Sequence, residues 1–489
     1  MTEPLSPARR RLVLIATILA SSLGFIDGSV VSVAIPAIRS DLGASFSQIQ
    51  WVANAYTLLL SALVLVGGAA GDRFGQARMF GAGIAVFSLT SIGCALAGSA
   101  EQLIAWRAVQ GLGAAFMVPG SLALIARSYP ADQRGKAIGL WSMASGIAAA
   151  LGPILGGFLI DAGGAPAWRW IFWINPLPGL ITLAFLYLAR IPDDSKKRAS
   201  LDIPGALLAT FGLGALAFGL SQASEAGVNV VSVAAWLVAG TLALLTFLLW
   251  EARSPAPMLP LSLFRIRTFN GANLLTFFLY FALAGSLFFL PMTLIEALSL
   301  PEAHAGSVYL PFTVVMAVVA RLSGGMTDRV GPRFPLTIGS LITGLSFLAV
   351  AAGAYFHAFA LGVLPAMAVL GVGMGFVVAP LSTTVMTVAD DSLAGTASGV
   401  NNGISRIAGL FAVAVLGIVA ALVYRSGLDP VLVPGSYGEP AAALSKAART
   451  ARAEAMLRAF VAVSVLTAVL SFLSAAIAWQ MLPAKAKAA

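Results

Sequence analysis

Fourteen apolar runs, each long enough to cross a bilayer and nearly free of charge, constrain this chain more than any other feature of it. A hydrocarbon core of roughly 30 Å needs about 20 mostly apolar residues in helical form. Inside it the backbone has no water to bond, so each run must satisfy its own N–H and C=O groups by winding into a helix. The runs are 12–37, 47–70, 78–98, 102–126, 135–160, 171–190, 203–222, 228–250, 269–295, 303–326, 333–354, 358–388, 394–424 and 457–482. They predict an all-α integral membrane protein with 14 transmembrane helices. Composition closes the soluble alternative, because 59% of the 489 residues are hydrophobic and only 10% are charged. Average soluble domains carry roughly 25% charged residues.

Charge placement predicts orientation. Most of the 29 Lys and Arg fall in loops on the side of the N-terminus, among them Arg9 to Arg11, Arg73, Arg78, Arg127, Arg134, Lys196 to Arg198, Arg265 and Arg267. The short loops of the other side hold only Arg39 and Arg169. By the positive-inside rule both termini are expected in the cytoplasm. The first run is expected to be a retained span rather than a cleaved signal, since it exceeds a cleavable length without a small-residue cleavage site. The net charge of +9 forms no basic stripe, so nucleic acid is not an expected partner. The single cysteine, Cys94, excludes a disulfide framework and a Cys-based metal site. No Ser-His-Asp set, metal cluster or phosphate loop stands in a credible context, so the chain is not expected to be an enzyme and no cofactor is implied.

The chain repeats itself. Gly68-Ala-Ala-Gly-Asp72-Arg73-Phe-Gly75 recurs as Gly324-Gly-Met-Thr-Asp328-Arg329-Val-Gly331, and Gly111-Leu-Gly113-Ala-Ala-Phe116 recurs as Gly371-Val-Gly373-Met-Gly-Phe376. The offset leaves room for two extra spans between two six-span halves. The expected division is 1–198 for an N-terminal six-helix bundle, 199–256 for an inserted pair, and 257–489 for a C-terminal bundle with an outer loop at 425–456. The stretch Ala441 to Arg458 reads as an amphipathic helix on or above the outer surface. A parallel duplication of this kind places a binding site where two bundles rock against each other, the plan of an alternating-access transporter.

Asp27 stands near the middle of the first span, where a carboxylate is a functional-site hypothesis by default. Burial disfavours its charged form, which suits it to exchange a proton. Arg107 lies roughly 7 Å inside the outer end of the fourth span, a depth within a helical turn of Asp27. If the two spans are neighbours, the pair is tunable; the bland alternative is an arginine that snorkels to the headgroups. Gly139, Gly152, Pro153, Gly156 and Gly157 strip side-chain bulk from the fifth span and predict close packing with a kink. The loop Gly68, Asp72, Arg73, Gly75 and Arg78, with its copy at Asp328 and Arg329, suits a breakable clamp, or merely marks topology by its charge. Trp51, Asn54, Tyr56, Phe277, Phe281, Glu296 and Arg406 are candidates to line a substrate cavity, although packing against helices or lipid is the commoner fate of such residues.

These motifs resemble the major facilitator superfamily, specifically its fourteen-helix drug:proton antiporter family. The resemblance rests on the Gly68 to Arg78 loop, on Leu103, Arg107, Gln110, Gly111, Gly113, Ala114 and Ala115 in the fourth span, and on Gly139, Gly152, Pro153, Gly156 and Gly157 in the fifth. Two stretches narrow it to the fourteen-helix branch: Ile26-Asp27-Gly-Ser29-Val-Val-Ser32-Val-Ala34-Ile-Pro36 and Trp168-Arg169-Trp170-Ile-Phe172-Trp-Ile-Asn175. It implies a major-facilitator-type fold of two six-helix bundles plus two inserted helices. It also implies that Asp27 takes part in proton coupling, that Arg107 tunes it, and that Pro153 with its glycines marks exporters. The expected activity is proton-coupled antiport of small hydrophobic or amphipathic compounds, cations among them, by a monomer in the bacterial cytoplasmic membrane. Its partners would be the lipid bilayer, protons and a small-molecule substrate. The alternatives are a symporter or an exporter of one metabolite or lipid on the same scaffold, and a membrane sensor or scaffold that transports nothing.

Overall fold

In a computed structural model of the chain, residues 6–192, 201–225, 227–255, 257–323, 326, 330–388, 394–426, 428, 437 and 445–484 are described. Among them there is no β-strand, and fourteen helical segments are long and apolar enough to cross a membrane. The sequence therefore folds into the all-α, fourteen-span membrane architecture that its apolar runs predict. Large apolar side chains such as Phe158, Leu207, Leu345 and Val469 stay exposed on the outer faces. Hydrocarbon tolerates that arrangement and water does not.

The helices are α1 (Pro7–Leu42), α2 (Phe46–Phe74), α3 (Gln76–Ala95), α4 (Ala100–Ser128), α5 (Ala131–Gly163), α6 (Trp170–Trp173), α7 (Pro176–Ala189), α8 (Ile203–Ala223), α9 (Val230–Glu251) and α10 (Arg267–Glu296). They continue with α11 (Glu302–Ser307), α12 (Tyr309–Ser323), α13 (Arg333–Tyr355), α14 (Leu364–Val388), α15 (Ala394–Ser426) and α16 (Lys446–Met481). Local chemistry sets their ends. Ser6 and Ser99 cap α1 and α4, accepting from Arg9 N and Gln102 N. Gly43 closes α1 with φ of 61°, and Gly75 makes the sharp turn from α2 to α3 with φ of 106°, a region that suits glycine.

The chain divides into two compact units. The first comprises residues 1–44, 51–216 and 238–259; the second comprises 45–50, 217–237 and 260–489. In the first unit α1 packs on α5, α7 and α4, and α3 packs on α4 and α7. Its core joins Leu23, Leu60, Phe80, Phe87, Met117 and Leu124. In the second unit α12 packs on α14, α13 on α14 and α16, and α10 on α15 and α16.

Two details depart from the sequence expectation. The sixth span, expected as one helix over 171–190, is a 3-10 turn at Ala165–Arg169, the short α6, and α7. The interruption falls at Asn175, because Pro176 offers no N–H to continue the helical ladder and starts a new helix as its first residue. The last helix starts at Lys446 and runs unbroken into the final span, so the basic, alanine-rich stretch from 446 onwards extends a membrane helix instead of lying as a separate surface helix. No proline or glycine interrupts it there, and alanine propagates helix well. The second copy of the charged loop, Asp328 and Arg329, lies outside the described residues.

Candidate functional site

Asp27 is fully buried inside the first unit, and both of its carboxylate oxygens are bonded. Helix α4 supplies two partners from one face, because Arg107 and Gln110 are three residues apart. Arg107 donates from Nη1 to Asp27 Oδ2, forming an ion pair whose side chains are both sealed from solvent. Gln110 Nε2 donates to Asp27 Oδ1 at 3.1 Å. The third partner is Asn175, whose Nδ2 donates to the same Oδ1 at 3.1 Å. That amide is presented by the break between α6 and α7, so the irregularity created by Pro176 is what brings it to the carboxylate.

A second ring of contacts holds these partners. Gln110 Nε2 and Asn175 Nδ2 also donate to Ser91 Oγ on α3, at 2.7 and 3.1 Å. Arg107 donates from Nε to the Val52 carbonyl at 3.1 Å and from Nη1 to Gln110 Oε1 at 2.7 Å. Its guanidinium lies 4.4 Å from the Tyr56 ring centre and 5.7 Å from that of Phe172. The Cys94 thiol reaches Gln110 Oε1 at 3.7 Å. An isolated charge in this setting would be very costly, whereas one carboxylate with a guanidinium and two amide donors is compensated. Asp27 and Arg107 are thus each other's buried counter-charge.

Close helix contacts make room for it. A Cβ on Gly152 would come within 2.8 Å of the Ile26 carbonyl, and one on Gly156 would strike Val30. These glycines thus let α5 lie against the stretch of α1 that carries Asp27. Pro153 sits inside α5, and a Cβ on Gly139 would meet open space. In the charged loop, Asp72 Oδ1 accepts from Arg127 Nη2 at 3.1 Å and from Gln76 Nε2 at 3.2 Å, joining the α2 end to α4. Arg73 lies over the Phe74 ring at 5.3 Å.

The residues expected to line a substrate cavity fall in both units. Tyr56 belongs to the Arg107 cluster. Asn54 is buried on the same helix, and Trp51 is half-buried. In the second unit, Phe277 and Phe281 pack their rings 6.1 Å apart on α10, and Arg406 is half-buried on α15. Glu296 is ion-paired at 3.0 Å with Arg452, a residue the sequence shows only as one more basic position of the outer segment. Sequence reasoning places Asp27 beside Arg107 by depth. It finds no role for Ser91, and it treats Gln110 and Asn175 as motif letters; their only signal in the sequence is being amides or hydroxyls at span depth.

The sequence profile described as the Major Facilitator Superfamily matches residues 17–413. The chain belongs to this superfamily. Among its relatives, the tetracenomycin C resistance and export protein of Streptomyces glaucescens is 33% identical over 417 residues, covering 83% of this chain and 76% of that protein. The cephamycin export protein CmcT of Amycolatopsis lactamdurans is 35% identical over 422 residues, covering 85% of both. The multidrug resistance protein Stp of Mycobacterium tuberculosis H37Rv is 32% identical over 425 residues, covering 86% of this chain and 78% of that one. Among solved structures, a bacterial homolog of the human lysosomal transporter Spinster, inward-facing and unoccupied, matches with a TM-score of 0.67 at 20% identity, over 98% of this chain and all of that one. A D-xylose-proton symporter matches with a TM-score of 0.65 at 16% identity, over 97% and 98%. These two likenesses establish the superfamily fold, and this superfamily member is accordingly a multi-pass membrane protein related to antibiotic and multidrug export proteins.

Proposed function

We propose that this superfamily member exports small hydrophobic or amphipathic compounds, cations among them, in exchange for protons. The observation that carries the reading is the Asp27 cluster: a buried carboxylate bonded by Arg107, Gln110 and Asn175 in a chain whose relatives are named for antibiotic export. An acid at that depth is expensive and is kept where it serves a function.

In this cycle the ionised Asp27 belongs to the state that accepts substrate from the cytoplasm or the inner leaflet. A proton arriving from the outer side neutralises Asp27, frees Arg107 from Oδ2 and favours the state that has released its substrate. Loss of that proton to the cytoplasm restores the cluster. Coupling follows because the two protonation states prefer different conformations, and a ligand shifts a conformational equilibrium only by its differential affinity for the two states. Asp72 with Arg127 supplies a second bond set that one conformation makes and the other breaks. No cofactor takes part; the proton gradient supplies the driving force, and a monomer in the bacterial cytoplasmic membrane, with both termini inside, is sufficient for the cycle.

The test is substrate-induced proton release from purified protein across a panel of lipophilic cations and neutral compounds. Wild type is expected to release protons on substrate addition, and Asp27→Asn is expected to bind substrate without release. Release unaffected by that substitution would remove Asp27 from the mechanism. Accumulation of substrate in energised cells, in place of depletion, would make the protein a symporter.

A further inference from the structure

The inserted helices carry a second pair of acids, remote in sequence from Asp27 and unused by the cycle above. Asp202 precedes α8 and Glu251 ends α9, and they are 7% and 3% exposed. Asp202 Oδ1 accepts from Gly205 N at 2.9 Å and from the Trp250 indole at 2.7 Å, as a helix N-cap does. Glu251 Oε2 accepts from the backbone N–H of Leu259 at 2.9 Å, which ties the linker after α9 back to the helix end. The other two oxygens, Asp202 Oδ2 and Glu251 Oε1, are buried and find no donor among the described residues. Both lie 2.8 Å from the point where Gly205 would carry a Cβ, so the two carboxyls line one gap. Gly205 is the gap into which the pair fits.

We infer that Asp202 and Glu251 share one proton, carried on Glu251, and that this proton clasps the backbone at Met258 and Leu259 to the foot of the inserted helix pair. Two facing carboxylates, more than nine-tenths buried, cannot both stay ionised cheaply, and one O–H···O bond satisfies both orphan oxygens at once. The helix ends distinguish the two acids. Asp202 caps the positive N-terminal end of α8, and Glu251 sits at the negative C-terminal end of α9, where a neutral carboxyl fits better than an anion. Asp202 is the charged group that acts on Glu251, which is otherwise met by the backbone at Met258 and Leu259. A metal ion is the poorer occupant, because two free oxygens fall short of the six or so that a hard cation demands. Removing the proton sets two anions against each other, swings Glu251 away and releases the Leu259 N–H. The clasp stands at the end of the pair that the charge pattern puts in the cytoplasm, so it responds to pH there and carries no proton across.

The test combines infrared spectroscopy with site-resolved amide exchange on the full-length protein in lipid nanodiscs. Wild type is expected to show a protonated-carboxyl band at neutral pH that is missing from Glu251→Gln, a variant that keeps the donor and the shape. The protection factor of the Leu259 amide should fall about tenfold as pH rises through the titration of the pair in wild type. It should stay flat in Glu251→Gln, with unchanged protection in α1 to α5 reporting an intact fold. Absence of the band in wild type, an equal pH response in Glu251→Gln, or protection that tracks added sodium, potassium or magnesium would overturn the inference.

Discussion

Asp27 keeps one oxygen for Arg107 and the other for two amides, and this division of labour yields separable effects. Replacing Gln110 or Asn175 by Ala removes one donor from the charged form, a loss of about 1.5–3 kcal/mol for a hydrogen bond to an ionised group. Substrate-induced proton release should therefore fall in either variant. A release assay in detergent checks this; unchanged release would mean that the amides only pack. Arg107→Lys keeps the charge but loses the Nε contact to Val52 and the guanidinium's place over the Tyr56 ring. Efflux by that variant should drop about tenfold or more, because the two cations are not interchangeable at a stacked, multidentate site. A dye-efflux assay in energised cells measures it.

At the scale of helices, the glycines contribute unequally. A Cβ on Gly113 would lie 2.8 Å from Phe87 N and 2.9 Å from the Gly83 carbonyl, and its counterpart Gly373 would meet Thr343 N at 2.7 Å and the Gly339 carbonyl at 2.9 Å. The duplicated glycines thus permit the same α3–α4 and α13–α14 approach in each unit. Gly113→Ala and Gly373→Ala should each destabilise the protein by about 1–3 kcal/mol through overpacking, read as a lower melting temperature in detergent. Gly139→Ala, whose added Cβ meets nothing, should change stability by no more than about 0.5 kcal/mol. Existence of the helices was legible from apolar run length, and so was the small-residue face of α5. The break inside the sixth span was not, since hydropathy averaged over a window passes smoothly across Asn175 and Pro176.

For the molecule as a whole, the duplication copied the scaffold and not the chemistry. At the offset of the fourth-span repeat, Arg107 and Gln110 correspond to Met367 and Leu370, both buried and apolar. In the second unit a buried charge sits instead at the end of α10, where Glu296 meets Arg452. Glu296→Gln removes a charge-assisted hydrogen bond from Arg452, 4% exposed, and should cost about 2 kcal/mol. Thermal unfolding of the variant against wild type tests that.

Fourteen spans, their duplication and the depth of Asp27 and Arg107 were determined by sequence alone, because bilayer thickness acts on every run of about 20 residues independently of its neighbours. Which polar groups converge on Asp27, and that Glu251 faces Asp202, only the tertiary structure decided. Those meetings join residues as far apart as 27 and 175, or 202 and 251, and a hydrogen bond depends on where helices pack and break, which no local pattern encodes.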